Sequence, residues 1–101
     1  MKCSSYYMFF DTISNKTRMS IIESLLKGDK SVNDICSDLK EEQSKVSHSL
    51  KRLMECNFLE VQRDGKKRVY SLNKKTVVPI LKLVDKHVHM FCNGSCMKKK
   101  E

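Results

Sequence analysis

Apolar residues recur at helical intervals through most of the chain and switch to strict alternation once, between Leu59 and Leu72. Tyr6, Phe9, Phe10 and Ile13 set a first helical period. Met19, Ile22, Leu25 and Leu26 set a second, which stops at Gly28, a good C-terminal cap. Val32, Ile35, Cys36 and Leu39 form the inner face of a third, short helix, with Ser31 as its N-cap and Asp34 three residues on. After a polar connection from Lys40 to Glu42, Val46, Leu50, Leu53 and Met54 recur at i, i+4, i+7 and i+8, a fourth apolar stripe. Leu59/Val61 and Tyr70/Leu72 then alternate on either side of Asp64-Gly65, which predicts a hairpin with those two as its positive-φ turn residues. A last helix should begin near Thr76, because Pro79 is tolerated only within a first turn. It carries Val77, Leu81, Val84, Val88 and Phe91 on one stripe and ends at Asn93-Gly94.

Two short helices meeting across a tight turn and followed by a hairpin make a helix-turn-helix with a wing. The expected fold class is therefore mainly α with a small β-hairpin wing (α+β), a winged helix-turn-helix that dimerises through its N- and C-terminal helices. The chain has 101 residues, enough for one domain over 1–101. Within it, 1–14 is an N-terminal dimerisation arm, 31–56 the helix-turn-helix, 59–72 the wing, 76–92 the C-terminal dimerisation helix and 93–101 a Cys-containing flexible tail. A chain this short buries only roughly 60 to 65% of its extended surface, so a second subunit would help to stabilise it. The stripe from Val77 to Phe91 is too extensive for one small domain to cover, which marks it as a dimer surface. The aromatic segment at the start is expected to pack on a partner subunit, with its own core as the alternative.

Charge narrows the choice of partner. Lys and Arg total 20 against 12 Asp and Glu, a formal charge of +8, and the pI is near 9.4. That balance favours a polyanion, nucleic acid first and a membrane surface second. The excess is concentrated: from Arg63 to Lys75 there are six basic residues and one acid. Ser44, Lys45, Ser47, His48, Lys51 and Arg52 are left facing outward from the fourth helix, and Arg63, Lys66, Lys67 and Arg68 crowd the hairpin tip. A solvated amphipathic helix with an ordinary solvated hairpin is the plainer alternative. No apolar run approaches the roughly 20 residues that span a bilayer, and there is no secretory-type N-terminus, so a cytoplasmic location is expected. In that reducing compartment Cys3, Cys36, Cys56, Cys92 and Cys96, an odd set for a disulfide framework, are expected as thiols.

The order of helix, helix, helix-turn-helix, wing and helix resembles the ArsR/SmtB family of winged-helix repressors, roughly from Ser14 to Phe91. The residues that carry the likeness are NKTRMSIIESLLKG, SVNDICSDL, QSKVSHSLKRL and FLEVQRDGKKRVYSL, in that order and spacing. The resemblance implies a homodimer that binds double-stranded DNA at an inverted-repeat operator and releases it when an inducer binds. Carried onto matching positions, it makes Gln43, Ser44, Ser47 and His48 base-edge or nearby phosphate contacts. Lys45, Lys51 and Arg52 become phosphate anchors, with Arg63, Lys66, Lys67 and Arg68 along the backbone or in the adjacent minor groove. The chain departs from the family where Glu41 and Glu42 replace the usual Leu-Ser lead into the recognition helix.

Arsenite sensors of the family carry a CVC motif, whose matching residues here are Ser31, Val32 and Asn33, and only Cys36 falls on a further family cysteine position. Cys36 and Cys56 are expected as packing. Cys92 and Cys96, four apart in CNGSC, allow two thiolates to converge on one soft ion. With Cys3 of either subunit they would suit trigonal As(III), and with a histidine added Zn(II) or Cd(II). Asp85 and His87 match the Asp-x-His pair of zinc and cobalt sensors, either as a degenerate metal site or as a carboxylate orienting a solvent-facing imidazole. A thiol-redox or persulfide response at Cys92 and Cys96 is the competing chemistry. A winged-helix module that contacts protein or RNA without a specific operator is the competing function. No organic cofactor is expected. The chain holds no phosphate-binding glycine loop, paired catalytic carboxylates or nucleophile-base set, so no enzymatic activity is expected.

Overall fold

The computed structural model describes residues 5–92. Helices α1 (Tyr6–Ile13) and α2 (Lys16–Leu26) lead to a two-residue strand β1 (Lys30–Ser31), helices α3 (Val32–Leu39) and α4 (Gln43–Glu55), strands β2 (Leu59–Asp64) and β3 (Lys67–Leu72), and helix α5 (Val77–His87). A π-helical turn, Val88–Cys92, extends α5. The flexible tail expected at 93–101 and the ligand expected at Cys3 lie outside the described residues. Helix starts follow local chemistry: Ser5, Asn15 and Ser31 each accept a hydrogen bond from a backbone N–H three residues on, which satisfies one of the donors a helix leaves open. Ser31 thus caps α3 as its sequence foretold. The turn into α4 is made by Lys40 in the left-handed region at φ 56°, its N–H bonded to the Cys36 carbonyl.

One core draws on α2, α3, α4, both wing strands and α5. Ile21, Ile22, Ile35, Val46, Leu50, Leu53 and Phe58 are essentially sealed, and Leu59, Tyr70, Leu72 and Val77 close it from the wing and α5. In α2 the buried face is Ile21, Ile22, Ser24 and Leu25, whereas Leu26 stands half exposed and Met19 only partly covered. At 3.6 residues per turn the face lies roughly a quarter turn from the expected one. The reason is that Ser24 faces inward. Its hydroxyl donates to Asp38 Oδ2 (2.5 Å) and its carbonyl accepts from Lys30 Nζ (2.5 Å), joining α2 to α3 and β1. The Ser24 hydrogen bond, aided by Lys30 and Lys27 and opposed by burial, holds the Asp38 carboxyl below the ordinary aspartate range.

The sheet is three-stranded and antiparallel, in the order β1-β3-β2. Periodicity missed β1, because two polar residues carry no alternation and only their pairing with Tyr70 and Val69 makes them a strand. The hairpin is present, but its turn is Gly65-Lys66: Asp64 is still in the ladder opposite Lys67, and Gly65 is the turn's positive-φ residue at 67°. Positive φ at the first central position alone is the type II′ pattern, which needs glycine there and leaves the next residue free to be Lys66.

The two end segments divide their apolar residues. Phe9 and Ile13 pack on the chain's own core, Phe9 stacked on Phe58 at 4.9 Å, so α1 is in part the intramolecular element the alternative foresaw. Tyr6, Tyr7 and Phe10 remain outside at 89, 78 and 56% exposure. In α5, Val77, Val78 and Leu81 reach the core, and Leu83, Val84, Met90 and Phe91 do not. Among the described residues, no helix is long and apolar enough to cross a membrane.

Candidate nucleic-acid interface

Val46, Ser49, Leu50 and Leu53 turn inward from α4, and this fixes the opposite face. Gln43, Ser44, Lys45, Ser47, His48 and Lys51 all stand exposed on one helix. Arg52 differs from its expected position. It is half buried, and its Nε is cut off from solvent with no hydrogen-bond partner among the described residues. The helix begins at Glu42, which makes no side-chain cap and instead accepts a hydrogen bond from Ser44 Oγ (2.9 Å). Glu41 pairs with Lys45 at 3.4 Å. The two acids that depart from the family pattern therefore occupy two of the polar groups expected to meet DNA.

The wing stands beside this face. Arg63, Lys66, Lys67 and Arg68 are exposed, as expected. Arg63 lies directly opposite Arg68 in the ladder, a like-charge pair that disfavours the isolated hairpin and that a polyanion would relieve. Between α4 and the wing runs a groove of about 480 Å³, with Leu50, Met54, Val61 and Tyr70 as its apolar floor and Gln43, Ser47, Lys51 and Arg68 as its polar rim. Ten of the eleven expected contact residues are exposed, and they lie on two neighbouring elements. Arg18 on α2, which the chain pattern did not single out, lines a second, basic cleft with His48, Lys51, Arg52 and Glu55. Nothing in the local pattern marks it, because only the packing of α2 on α4 brings it there.

The candidate ligands at the other end are described in part. Cys92 is half buried, and Cys3 and Cys96 lie outside the described residues. Cys36 packs against the core and Cys56 lies within it, as expected for packing residues. Asp85 meets His89 rather than His87: His89 Nδ1 lies 3.5 Å from the carboxylate and 2.9 Å from the Asp85 carbonyl. The His87 ring sits 5.1 Å from that of Phe91. No group of three or more His, Cys, Asp or Glu side chains able to hold a metal ion occurs among the described residues.

Known proteins share both sequence and fold with the chain. Residues 15–61 match the family model described as bacterial regulatory protein, arsR family. A probable mercury resistance operon repressor of Streptomyces lividans is 28% identical over 75 residues, 74% of this chain and 60% of that protein. The HTH-type transcriptional regulator Rv0081 of Mycobacterium tuberculosis is 30% identical over 79 residues, 77% of this chain and 69% of that one. The crystal structure of Rv0081 superposes with a TM-score of 0.80 at 26% identity, over 89% of this chain and 91% of the other. The transcriptional repressor BigR of Xylella fastidiosa superposes at 0.68 with 25% identity, over 82% of each chain. The helix-turn-helix and wing seen here are the framework these regulators share, and the chain belongs to the ArsR family of bacterial regulatory proteins, as a winged helix-turn-helix transcriptional regulator and not an enzyme.

Proposed function

We propose that the chain is a homodimeric repressor that binds an inverted-repeat DNA operator and leaves it when a soft metal or metalloid ion binds near the C-terminal cysteines. The observation that carries the DNA part is the row of exposed polar residues on α4 beside a basic wing. Base edges in the major groove are reached by short side chains on one helix face, here Gln43, Ser44, Ser47 and His48. Lys45, Lys51 and the wing cations supply the sequence-independent attraction to phosphates, and if about six phosphates are neutralised, log K falls with log salt at a slope near −5. Two copies are required because one short helix reads too few bases. The exposed apolar residues of α1 and α5 are the surface that joins them, and the two α4 helices would then enter major grooves about 34 Å apart.

The inducer reading rests on donor chemistry. Thiolates at Cys92 and Cys96, with Cys3 of either subunit, select soft ions such as As(III), Cd(II) or Zn(II). The relative named as a mercury resistance operon repressor is in keeping with a soft-ion response. Asp85 and His87 are the weaker candidate set, since Asp85 already engages His89. The ion would bind and hold the C-terminal segment, and release follows only if that bound state favours the low-affinity dimer, with couplings of about 1 to 3 kcal/mol.

Footprinting on a pool of palindromic duplexes tests the DNA reading. Ser47→Ala and Gln43→Ala should relax base preference, whereas Lys66→Gln should weaken all duplexes alike. Binding with no base preference would instead support an interaction module. Titrating As(III), Cd(II) and Zn(II) into the reduced complex should release the duplex, and Cys92→Ser or Cys96→Ser should prevent it. Release that survives both substitutions refutes the inducer assignment and leaves the repressor reading intact.

A further inference from the structure

The cleft between the start of α2 and the C-terminal half of α4 gathers three fixed cations around one carboxylate. Arg18, Lys51 and Arg52 line it with His48, against the single carboxylate of Glu55. None of the three fixed cations has a carboxylate within ion-pair distance among the described residues. Arg52 is the most telling. Its Nε is shut off from water and has no acceptor among the described residues, so this guanidinium is seated in the cleft wall without a protein anion to neutralise it.

Arg18 is held in place from the other side. Its Nε donates to the Thr12 carbonyl (2.5 Å) and Nη2 to that of Asp11 (3.5 Å), so one edge of the guanidinium caps the end of α1. A guanidinium has five N–H donors, and the remaining ones are left for the cleft. The opening measures about 220 Å³ and shares His48 with the exposed face of α4. Two guanidinium groups and an ammonium around one open cleft match the planar-fork and point-charge recognition of a phosphate.

We propose that this cleft is a phosphate-binding site in which Arg18, Lys51 and Arg52 hold one tetrahedral oxyanion, and that on the operator the oxyanion is a backbone phosphate flanking the bases met by α4. The assignment rests on the repressor reading above and deepens it by placing α2 in the footprint. It also gives α1 a stake in DNA binding. One of the side chains that hold the phosphate, Arg18, is the one that ends α1, so that contact is tied to the helix whose Tyr6, Tyr7 and Phe10 face outward.

The test uses the full chain and two probes, inorganic phosphate and a palindromic duplex, with the Nε–H signals of Arg18 and Arg52 followed by NMR. The duplex should shift both signals. Arg52→Gln should lower the magnitude of the salt slope by about 0.9 for each copy, hence about 2 for a dimer. Glu55→Gln, which cannot gain binding by misfolding, should tighten duplexes of any sequence several-fold. A duplex that still gives a footprint while Arg52→Gln keeps the full slope, or Glu55→Gln that fails to tighten binding, overturns the proposal alone. Signals that respond to inorganic phosphate and not to the duplex support the oxyanion site and assign it to a free anion. A chain that binds no duplex refutes the repressor reading and leaves the cleft to stand or fall on the phosphate titration.

Discussion

Asn73 fastens three elements with one side chain, and Asn73→Ala should show how much of the stability of the wing and α5 depends on it. Its Nδ2 donates to the Asn57 carbonyl at the end of α4 (2.9 Å), and its Oδ1 accepts from the N–H groups of Lys75 (3.0 Å) and Thr76 (3.2 Å). Thr76 itself provides no side-chain cap for α5, so Asn73 does that work from three residues upstream. Alanine removes all three bonds but keeps the two backbone bonds of this residue, to the Phe58 carbonyl and from Val78 N–H. With about 0.5 to 1.5 kcal/mol net per bond, and the lower half of that range for a half-buried residue, the loss should be about 2 kcal/mol. Urea unfolding followed by circular dichroism, at one fixed protomer concentration, should show a lower midpoint with an unchanged slope. In a thermal scan the shift should be about 10 °C. Asn73→Asp keeps both accepted bonds and loses only the donor, so it should cost about a third as much. A loss below about 0.5 kcal/mol for the alanine variant would refute the reasoning, since it is less than one ordinary bond. Equal damage from aspartate and alanine would show that the bonds to α5 carry none of the energy.

Other perturbations probe different joints. Leu83→Glu together with Phe91→Glu places charge on the exposed apolar surface of α5; sedimentation should show monomers, and affinity for a palindrome should fall by about 100-fold or more as the two half-sites are no longer held together. A variant that stays dimeric would move the interface elsewhere. Lys40→Gly relieves a left-handed lysine in the helix-turn-helix and should raise stability by about 0.5 kcal/mol, the strain relief being partly offset by glycine's extra chain entropy. Because the Asp38 carboxyl titrates lower in the folded chain than in the unfolded one, its contribution is full above the ordinary aspartate pKa of about 3.9 and is lost as pH falls through the lowered folded value. Asp38→Asn should flatten that part of the acid-unfolding curve, and an unchanged curve would remove Asp38 from the account.

Much of this was legible in the chain where an apolar period is strong or is joined by a cap that agrees with it. Ser31 with Asp34 marked the start of α3, and Val46, Leu50 and Leu53 oriented α4 correctly, which is why its exposed face was foreseen. The failures share a cause. Ser24, Lys30 and Arg18 are polar residues whose places depend on partners 6 to 14 positions away, so the face of α2 was expected too far round, and β1 was missed because its strand partners, Val69 and Tyr70, are more distant still. The hairpin turn was one residue off because Asp64-Gly65 and Gly65-Lys66 both contain the needed glycine, and only the Asp64 to Lys67 pairing separates them. Arg52 followed the stripe of α4 outward on paper, yet it is half buried in the cleft it shares with Arg18 of α2. The ligand set at the C-terminal end rests on Cys3, Cys92 and Cys96, of which the described residues include Cys92.

Ser31 belongs to two structures at once, as the cap of α3 and as the partner of Val69 in the wing's inner strand. Because one residue both starts the first helix of the helix-turn-helix and pairs with the wing, helix and wing are joined without a linker and move as a single stamp. A stamp of this kind has no internal joint through which a distant signal could blunt its shape. In the proposed homodimer an inducer would therefore act by changing the spacing or tilt between two intact stamps, a rigid-body adjustment made where the copies meet. Operators with altered spacer length, read against a constant half-site, are the direct gauge of that adjustment.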